Sequence, residues 1–465
     1  YYFEELKKSI FYKPDEIIEN PSIERRLSGS PDIGILVIVT NDANLSEYKI
    51  ALDSLRCYSQ LQNYDFNLVF VDDYWRKKCP QKQFMFQRHC ITSNLLSKHD
   101  WTLFIDADVG VVNPNRLLDD FVIQLENHVD ILFFDRFFDW EIAAGSYFAR
   151  NTSFASEFLM KFSNMEEILP NSFVGSDNGA IHWLFLTEFF TNQTSIFSKN
   201  DCWKILEKSK DFTDLFVFEA CCRQIIGENQ ILKSQTKNGH VKILPKGTGW
   251  MRDAWITDSK WSLEYDFMLH GWKTSIMYPL IENSTSWNRA LIRNKWGKWY
   301  QTLAMNNFLN YSCKNGKIKW KWWKSLMLEK EEIIDLLEKR KFNSQIHSEY
   351  QLGLLQQLGH PTEKKMKTLI VFVAFIAITA ALVYPPRFKC ALCHDFVKEV
   401  EKELALDADY FHKHDAHKLC LKFEELRYPF NTVCKHFSPK EIDEIFEEFR
   451  KPTPSKEICK KVKLC

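Results

Sequence analysis

Residues 101–114 read WTLFIDADVGVVNP, and the fold class follows from how that string divides. Trp101 to Ile105 is a short continuous apolar run, the pattern of a strand buried on both faces. It breaks on Asp106-Ala107-Asp108, turns apolar again and closes on Asn113-Pro114. Upstream, Ile33 to Val39 is another such run. A polar turn, Asn41-Asp42-Ala43-Asn44, follows it, and then Tyr48, Ala51, Leu52 and Leu55 recur at helical spacing. Asn67 to Val71 is predicted as a strand ending in Asp72-Asp73, and Phe84 to Leu96 as a helix. Strands alternating with helical patterns predict an α/β domain with a mostly parallel sheet. Ligands collect beyond the carboxyl ends of such strands. Asp72, Asp106 and Asp108 all stand there.

Two carboxylates separated by one residue, at the mouth of a buried strand, can converge on one divalent cation and a sugar hydroxyl. Hard oxygen ligands suit Mg²⁺ or Mn²⁺, which bind the phosphates of a nucleotide-sugar and neutralise the diphosphate as the glycosidic bond breaks. By itself Asp-x-Asp also reads as a surface turn with solvated acids. The apolar strand before it and the apolar stretch and Asn-Pro after it favour the buried site.

This stretch resembles the GT-A class of glycosyltransferases, in particular Golgi galactosyl-, mannosyl- and xylosyltransferases. It is most similar to an uncharacterised nematode family assigned to that nucleotide-sugar transferase fold. The resemblance covers roughly residues 31 to 275 and includes Ala144-Gly145-Ser146-Tyr147-Phe148-Ala149-Arg150, Ser176-Asp177-Asn178-Gly179-Ala180 and His270-Gly271-Trp272-Lys273. The usual Asn before Gly145 is missing. The resemblance implies that Asp108 coordinates the metal and Asp106 contacts ribose or the metal, with His270 as a third ligand. It further implies that Lys273 steadies the diphosphate, and that Asp177 binds a donor hydroxyl or assists transfer unless it merely caps its helix. Asp72 and Arg88 are weaker candidates for the nucleotide. A glycan would be the acceptor.

Near residue 370 the chain changes character. Lys364, Lys365 and Lys367 precede the uncharged run TLIVFVAFIAITAALV, Thr368 to Val383, after which comes Tyr384-Pro385-Pro386. A basic start, an apolar centre and a small-residue exit make a signal peptide, and the run is slightly shorter than the roughly 17–25 residues of a spanning helix. Sequons at Asn44, Asn151, Asn192, Asn283 and Asn310 lie upstream, and clustered cysteines lie downstream. Both features belong in the secretory lumen, which one membrane span cannot give to both flanks. Two secretory proteins joined in one chain is therefore the favoured reading, with a single-span protein as the alternative. The organisation expected is an N-terminal extension (1–30), the transferase domain (31–300), a basic, tryptophan-rich extension with a helix over Leu326 to Phe342 (301–365), the hydrophobic segment (366–384) and a small domain (387–465).

Cys390, Cys393, Cys420, Cys434, Cys459 and Cys465 crowd the small domain. Too short to bury a sufficient core, it calls for staples, and spacing alone does not fix the pairing; a zinc site or redox Cys-x-x-Cys is the other use of such a set. Ser438-Pro439-Lys440-Glu441 is a capping box opening a helix with Ile442, Ile445, Phe446 and Phe449 on one stripe. Cysteine order and helical pattern resemble saposin B-type domains, which implies the nested pairs Cys390–Cys465, Cys393–Cys459 and Cys420–Cys434 and a lipid or membrane partner. His394, His412, His414, His417 and His436 would add positive charge in acid.

Lys plus Arg and Asp plus Glu each number 61, for a net charge of +0. No global field calls for nucleic acid. Three functions remain: a transferase followed by a saposin-like protein, a lipid-interacting protein whose first domain is non-catalytic, and a fusion that brings the transferase to lipid acceptors.

Overall fold

The computed structural model describes residues 16–20, 26, 29–123, 125, 128–190, 198–227, 231–235, 237–278, 299–305, 308, 310–341, 352, 393, 397, 439–449 and 455–463. The chain divides into two compact units, Tyr1–Leu358 and Gly359–Cys465.

In the first unit the strands are β1 (Ile17–Glu19), β2 (Ile33–Thr40), β3 (Asp65–Val71), β4 (Trp101–Ile105), β5 (Val109–Val111), β6 (Ile131–Phe134), β7 (Ser146–Arg150), β8 (Ile231–Lys233), β9 (His240–Leu244), β10 (Met251–Asp253), β11 (Met268–His270), β12 (Met277–Tyr278), β13 (Trp299–Tyr300) and β14 (Lys321–Trp323). A seven-stranded sheet runs β3-β2-β4-β7-β6-β9-β8. The expected mostly parallel sheet is in fact mixed. β2 pairs in parallel with β3 and β4, as β6 does with β9, whereas β4–β7, β6–β7 and β8–β9 are antiparallel. Connection length explains this. Residues 135–145 and 234–239 join β6 to β7 and β8 to β9, and neither leaves room for the crossover helix a parallel neighbour needs.

Alternation along the strands divides the core. Leu36 and Ile38 join Phe104, Phe133, Phe158 and Phe185 on one face. Ile35, Val37 and Val39 join Leu103, Ile105, Phe148 and Trp250 on the other. Helices cover both faces: α1 (Lys49–Gln62), α2 (Asp73–Lys78), α3 (Phe84–Leu95), α4 (Ser153–Asn164), α5 (Asp177–Phe189), α6 (Lys199–Leu206) and α7 (Phe212–Ile226). Their starts follow capping chemistry. Thr152 accepts the Ala155 N–H at α4, and Asp211 accepts those of Thr213 and Asp214 at α7. Ser198 and Asp201 form a reciprocal capping box at α6. On α7, Arg223 reaches the buried Asp135 carboxylate just beyond β6 at 2.7 Å.

Part of the tryptophan-rich stretch joins the core. Trp320 and Trp322 are buried, and β14 pairs with β1. Helix 330–341 sets Ile333 and Leu337 against Phe137 and Ile256. Three disulfides that spacing did not reveal hold the unit together: Cys57–Cys313, Cys79–Cys90 and Cys202–Cys221. Asn44 and Asn151 are exposed.

In the second unit Cys393 is bonded to Cys459, and helices cover Pro439–Phe449 and Ser455–Lys461 with Ile445 and Ile458 buried. Residues 366–384, Asn192, Asn283, Cys390, Cys420, Cys434 and Cys465 lie outside the described residues. Among the described residues no helix is long and apolar enough to cross a membrane.

Seven cysteines precede residue 359, and among the described residues only Cys222 is free, buried with its thiol pKa pushed up by burial. Alkylation of unreduced protein should therefore leave Cys222 untouched in the native fold and label it after denaturation. Labelling of Cys57, Cys79 or Cys202 under the same conditions would contradict the pairing.

Candidate metal centre and cleft

The site begins where β4 ends. Asp106 leaves the strand, the Val109 N–H donates back to the Asp106 carbonyl at 3.2 Å, and the chain turns into β5. β11 then pairs antiparallel with β5, which sets His270 opposite Val109. Gly271 has φ 98°, in the left-handed region glycine tolerates. The turn it allows lets the Gly271 and Trp272 N–H groups both donate to the Asp108 carbonyl, at 3.0 and 2.8 Å. This clamp brings residue 270 to residue 108.

One ligand atom each from Asp106, Asp108 and His270 lie within 4.8 Å of one another. His270 Nε2 is 3.3 Å from Asp108 Oδ1, and Lys273 Nζ is 3.2 Å from Asp108 Oδ2. Behind the imidazole, His270 Nδ1 is 2.7 Å from Asp253 Oδ1. Gly145, just before β7, presses against Asp106; a Cβ there would lie 2.2 Å from Asp106 Oδ2. Two carboxylates and an imidazole make a donor set that could hold a divalent metal ion. The bare backbone at Gly145 leaves the Asp106 carboxylate its room.

Across the cleft a second network holds Asp177. Arg88, on α3 and 5% exposed, bonds to Asp106 through Nη1 and to Asp177 Oδ2 through Nη2 at 2.7 Å. His89, fully buried and stacked on Phe162, sits 3.2 Å from the same Asp177 oxygen and 3.0 Å from the Tyr147 hydroxyl. Asp177 opens α5 after Gly175 and Ser176, both at φ 59°. For Ser176 that is a costly conformation, of the kind that collects at ligand-binding loops. A cleft of about 180 Å³ opens over these groups, with Met85, Ala144, Asn178 and Met251 in its wall.

The charges are matched pairwise. Burial disfavours protonated His270, yet Asp108 and Asp253 outweigh it and raise its pKa to about 10. Burial likewise opposes the charge on Asp108, but His270 and Lys273 hold its pKa well below the usual carboxylate range. Asp177 is also depressed despite burial, chiefly by Arg88 and then His89. Asp106 goes the other way, raised by burial and by Asp108 against the pull of Arg88.

Sequence reasoning placed Asp106, Asp108, His270, Lys273, Arg88 and Asp177, and the fold brings all six together. Asp72 stands apart from them, exposed at the start of α2, where its carboxylate accepts the Trp75 N–H at 3.0 Å. His89, Arg136, Glu141, Tyr147 and Asp253 went unnoticed as site residues. Arg136, Glu141 and Asp253 lie in stretches without a motif, and Tyr147, though inside the stretch 144–150, carried no assigned role there. Only the adjacency of His89 to Arg88 on one helix offered a hint.

Residues 55–286, which contain every residue of this site, match the family described as "Protein of unknown function, DUF273". A comparison with curated proteins returned no match. Among solved structures, a glycosyltransferase involved in the glycosylation of the major capsid of PBCV-1 is similar to a part of the chain, at 18% identity and a TM-score of 0.25. That alignment covers 29% of this chain and 66% of the other, just short of two thirds of its length.

Proposed function

We propose that residues 31–300 form a metal-dependent glycosyltransferase domain of GT-A type that uses a nucleotide-sugar donor and a glycan acceptor. The observation that carries this reading is the meeting of Asp106, Asp108 and His270 at the carboxyl end of a buried strand, beside a cleft that also presents Asp177. Asp106, Asp108 and His270 would hold the cation, Mn²⁺ or Mg²⁺. When bound, that ion would supply positive charge to stabilise the departing diphosphate. Lys273, whose side chain is 43% exposed, supplies a point charge to the same phosphates. Arg88 fixes the separation of Asp106 and Asp177 by bonding both. Asp177, kept ionised, is placed to accept a hydrogen bond from a sugar hydroxyl or to stabilise positive charge at the anomeric carbon. The disulfides suit a secretory or extracellular setting.

One observation favours a second reading. Asp108 already has His270 and Lys273, and Asp106 has Arg88, so the acids are satisfied by the protein's own cations. A non-catalytic first unit attached to a lipid-binding protein would show the same pairing. Release of nucleoside diphosphate separates the two. Full-length protein incubated with Mn²⁺ and a panel of UDP- and GDP-sugars should hydrolyse or transfer at least one donor. Asp108→Asn should cut that rate about a hundredfold or more, equivalent to about 3 kcal/mol, without loss of circular dichroism signal. No turnover of any donor, or full activity in Asp108→Asn, would reject the catalytic reading.

For residues 387–465 the proposal is a saposin-like unit that engages lipid, supported by the Cys393–Cys459 bond and the two helices behind it. Full-length protein should sediment with anionic vesicles, more at pH 5 than at pH 7.5 as its histidines gain charge. Sedimentation equal at both pH values and with neutral vesicles would reject the charge-driven part.

A further inference from the structure

β10 and β11 run parallel with Asp253 in register with His270. This pairing puts a carboxylate beside the imidazole on the side away from Asp108. Asp253 is 3% exposed, and its Oδ1 lies 2.7 Å from His270 Nδ1. The carboxylate is itself gripped from both sides: Arg136 Nη2 donates to Oδ1 at 2.6 Å and Nε to Oδ2 at 3.1 Å. Arg136 in turn donates from Nη1 to Glu141 Oε1 at 2.6 Å, and its backbone N–H donates to the Glu141 carbonyl at 2.9 Å. The chain Glu141–Arg136–Asp253–His270–Asp108 is thus continuous, from the cleft wall to the acidic pair.

An ionised carboxylate held in this way accepts a hydrogen bond and cannot give one. Nδ1 of His270 therefore carries a proton; Nε2, 3.3 Å from the Asp108 carboxylate, carries the other while the ring is charged, and it is this second proton that a cation would displace, leaving the lone pair of the neutral ring on Nε2. Resting on the metal-dependent reading above, we propose that Asp253, clamped by Arg136, is the positioning residue that fixes the tautomer and angle of His270 so that Nε2 can ligate a divalent cation. Partners of this kind behind a metal-bound imidazole commonly govern affinity by about 10–100-fold. Asp253 acts only through His270, since β11 stands between it and the acidic pair.

The test is MnCl₂ binding to the full-length protein by calorimetry, at a temperature where every variant is folded. Asp253→Asn should weaken binding about 10–100-fold, because an asparagine can turn its amide toward Nδ1 and select the wrong tautomer. In a His270→Ala background the same substitution should change affinity little, since the residue it acts through is gone. Arg136→Lys keeps the positive charge but loses the two-pronged grip, and should show a smaller loss with the same dependence on His270. It serves if Asp253→Asn does not fold. An Asp253→Asn or Arg136→Lys protein that melts earlier yet binds Mn²⁺ as the parent does would overturn the inference and leave the metal site standing. Equal losses with and without His270 would also overturn it. If the parent itself binds no Mn²⁺, the metal-dependent reading falls and takes the inference with it.

Discussion

The meeting of His270 with the acidic pair depends on one short strand. β11 lies between β5 and β10, antiparallel to one and parallel to the other. The first pairing fixes His270 beside the acids that leave β4, and the second fixes Asp253 behind it. The Asp108 carbonyl, accepting from Gly271 and Trp272, locks the junction. Trp272 is buried against Gly110, where a Cβ would lie 1.9 Å from the indole ring. That contact leaves β5 no freedom to carry a side chain at position 110. β11 is therefore held by backbone bonds on both edges, and the turn after it is pinned by Trp272 against β5.

The second constraint is electrostatic. Asp106, Asp108, Asp177 and Asp253 converge on a small volume, and repulsion alone would expel them. Arg88, Arg136, His270 and Lys273 are interleaved so that each carboxylate meets a cation. Buried pairs of this kind add little net stability, whereas removing one partner strands a charge. Their value lies in geometry: planar guanidinium groups with directed donors fix the separations of the acids they bridge. Divalent cations prefer rigid, anionic oxygen sites, and this frame supplies one.

Much of this was legible in the sequence because it is local. The apolar runs of β2 and β4 and the helical spacing of Tyr48, Ala51, Leu52 and Leu55 declare themselves within a few residues. Asp-Ala-Asp falls at a strand end because the run before it stops there. What the sequence left open is set by contacts far apart along the chain. Sheet direction turned on the short links before β7 and β9, which forbid crossovers where a simple alternation predicts them. Cys57 and Cys313 are 256 residues apart, so no spacing rule joins them. Nothing local decides whether Trp320 and Trp322, set among lysines, cover the domain; the pairing of β14 with β1 does. Asp253 has no motif, and only its register against His270 gives it a role.

The most direct measurement is anomalous diffraction from crystals of the protein soaked in MnCl₂, recorded at the manganese edge. The account predicts one strong peak within bonding distance of Asp108, His270 Nε2 and Asp106 or a water it holds, with Asp253 still bonded to Nδ1. A peak elsewhere, or none while His270 stays paired to Asp108, would contradict it.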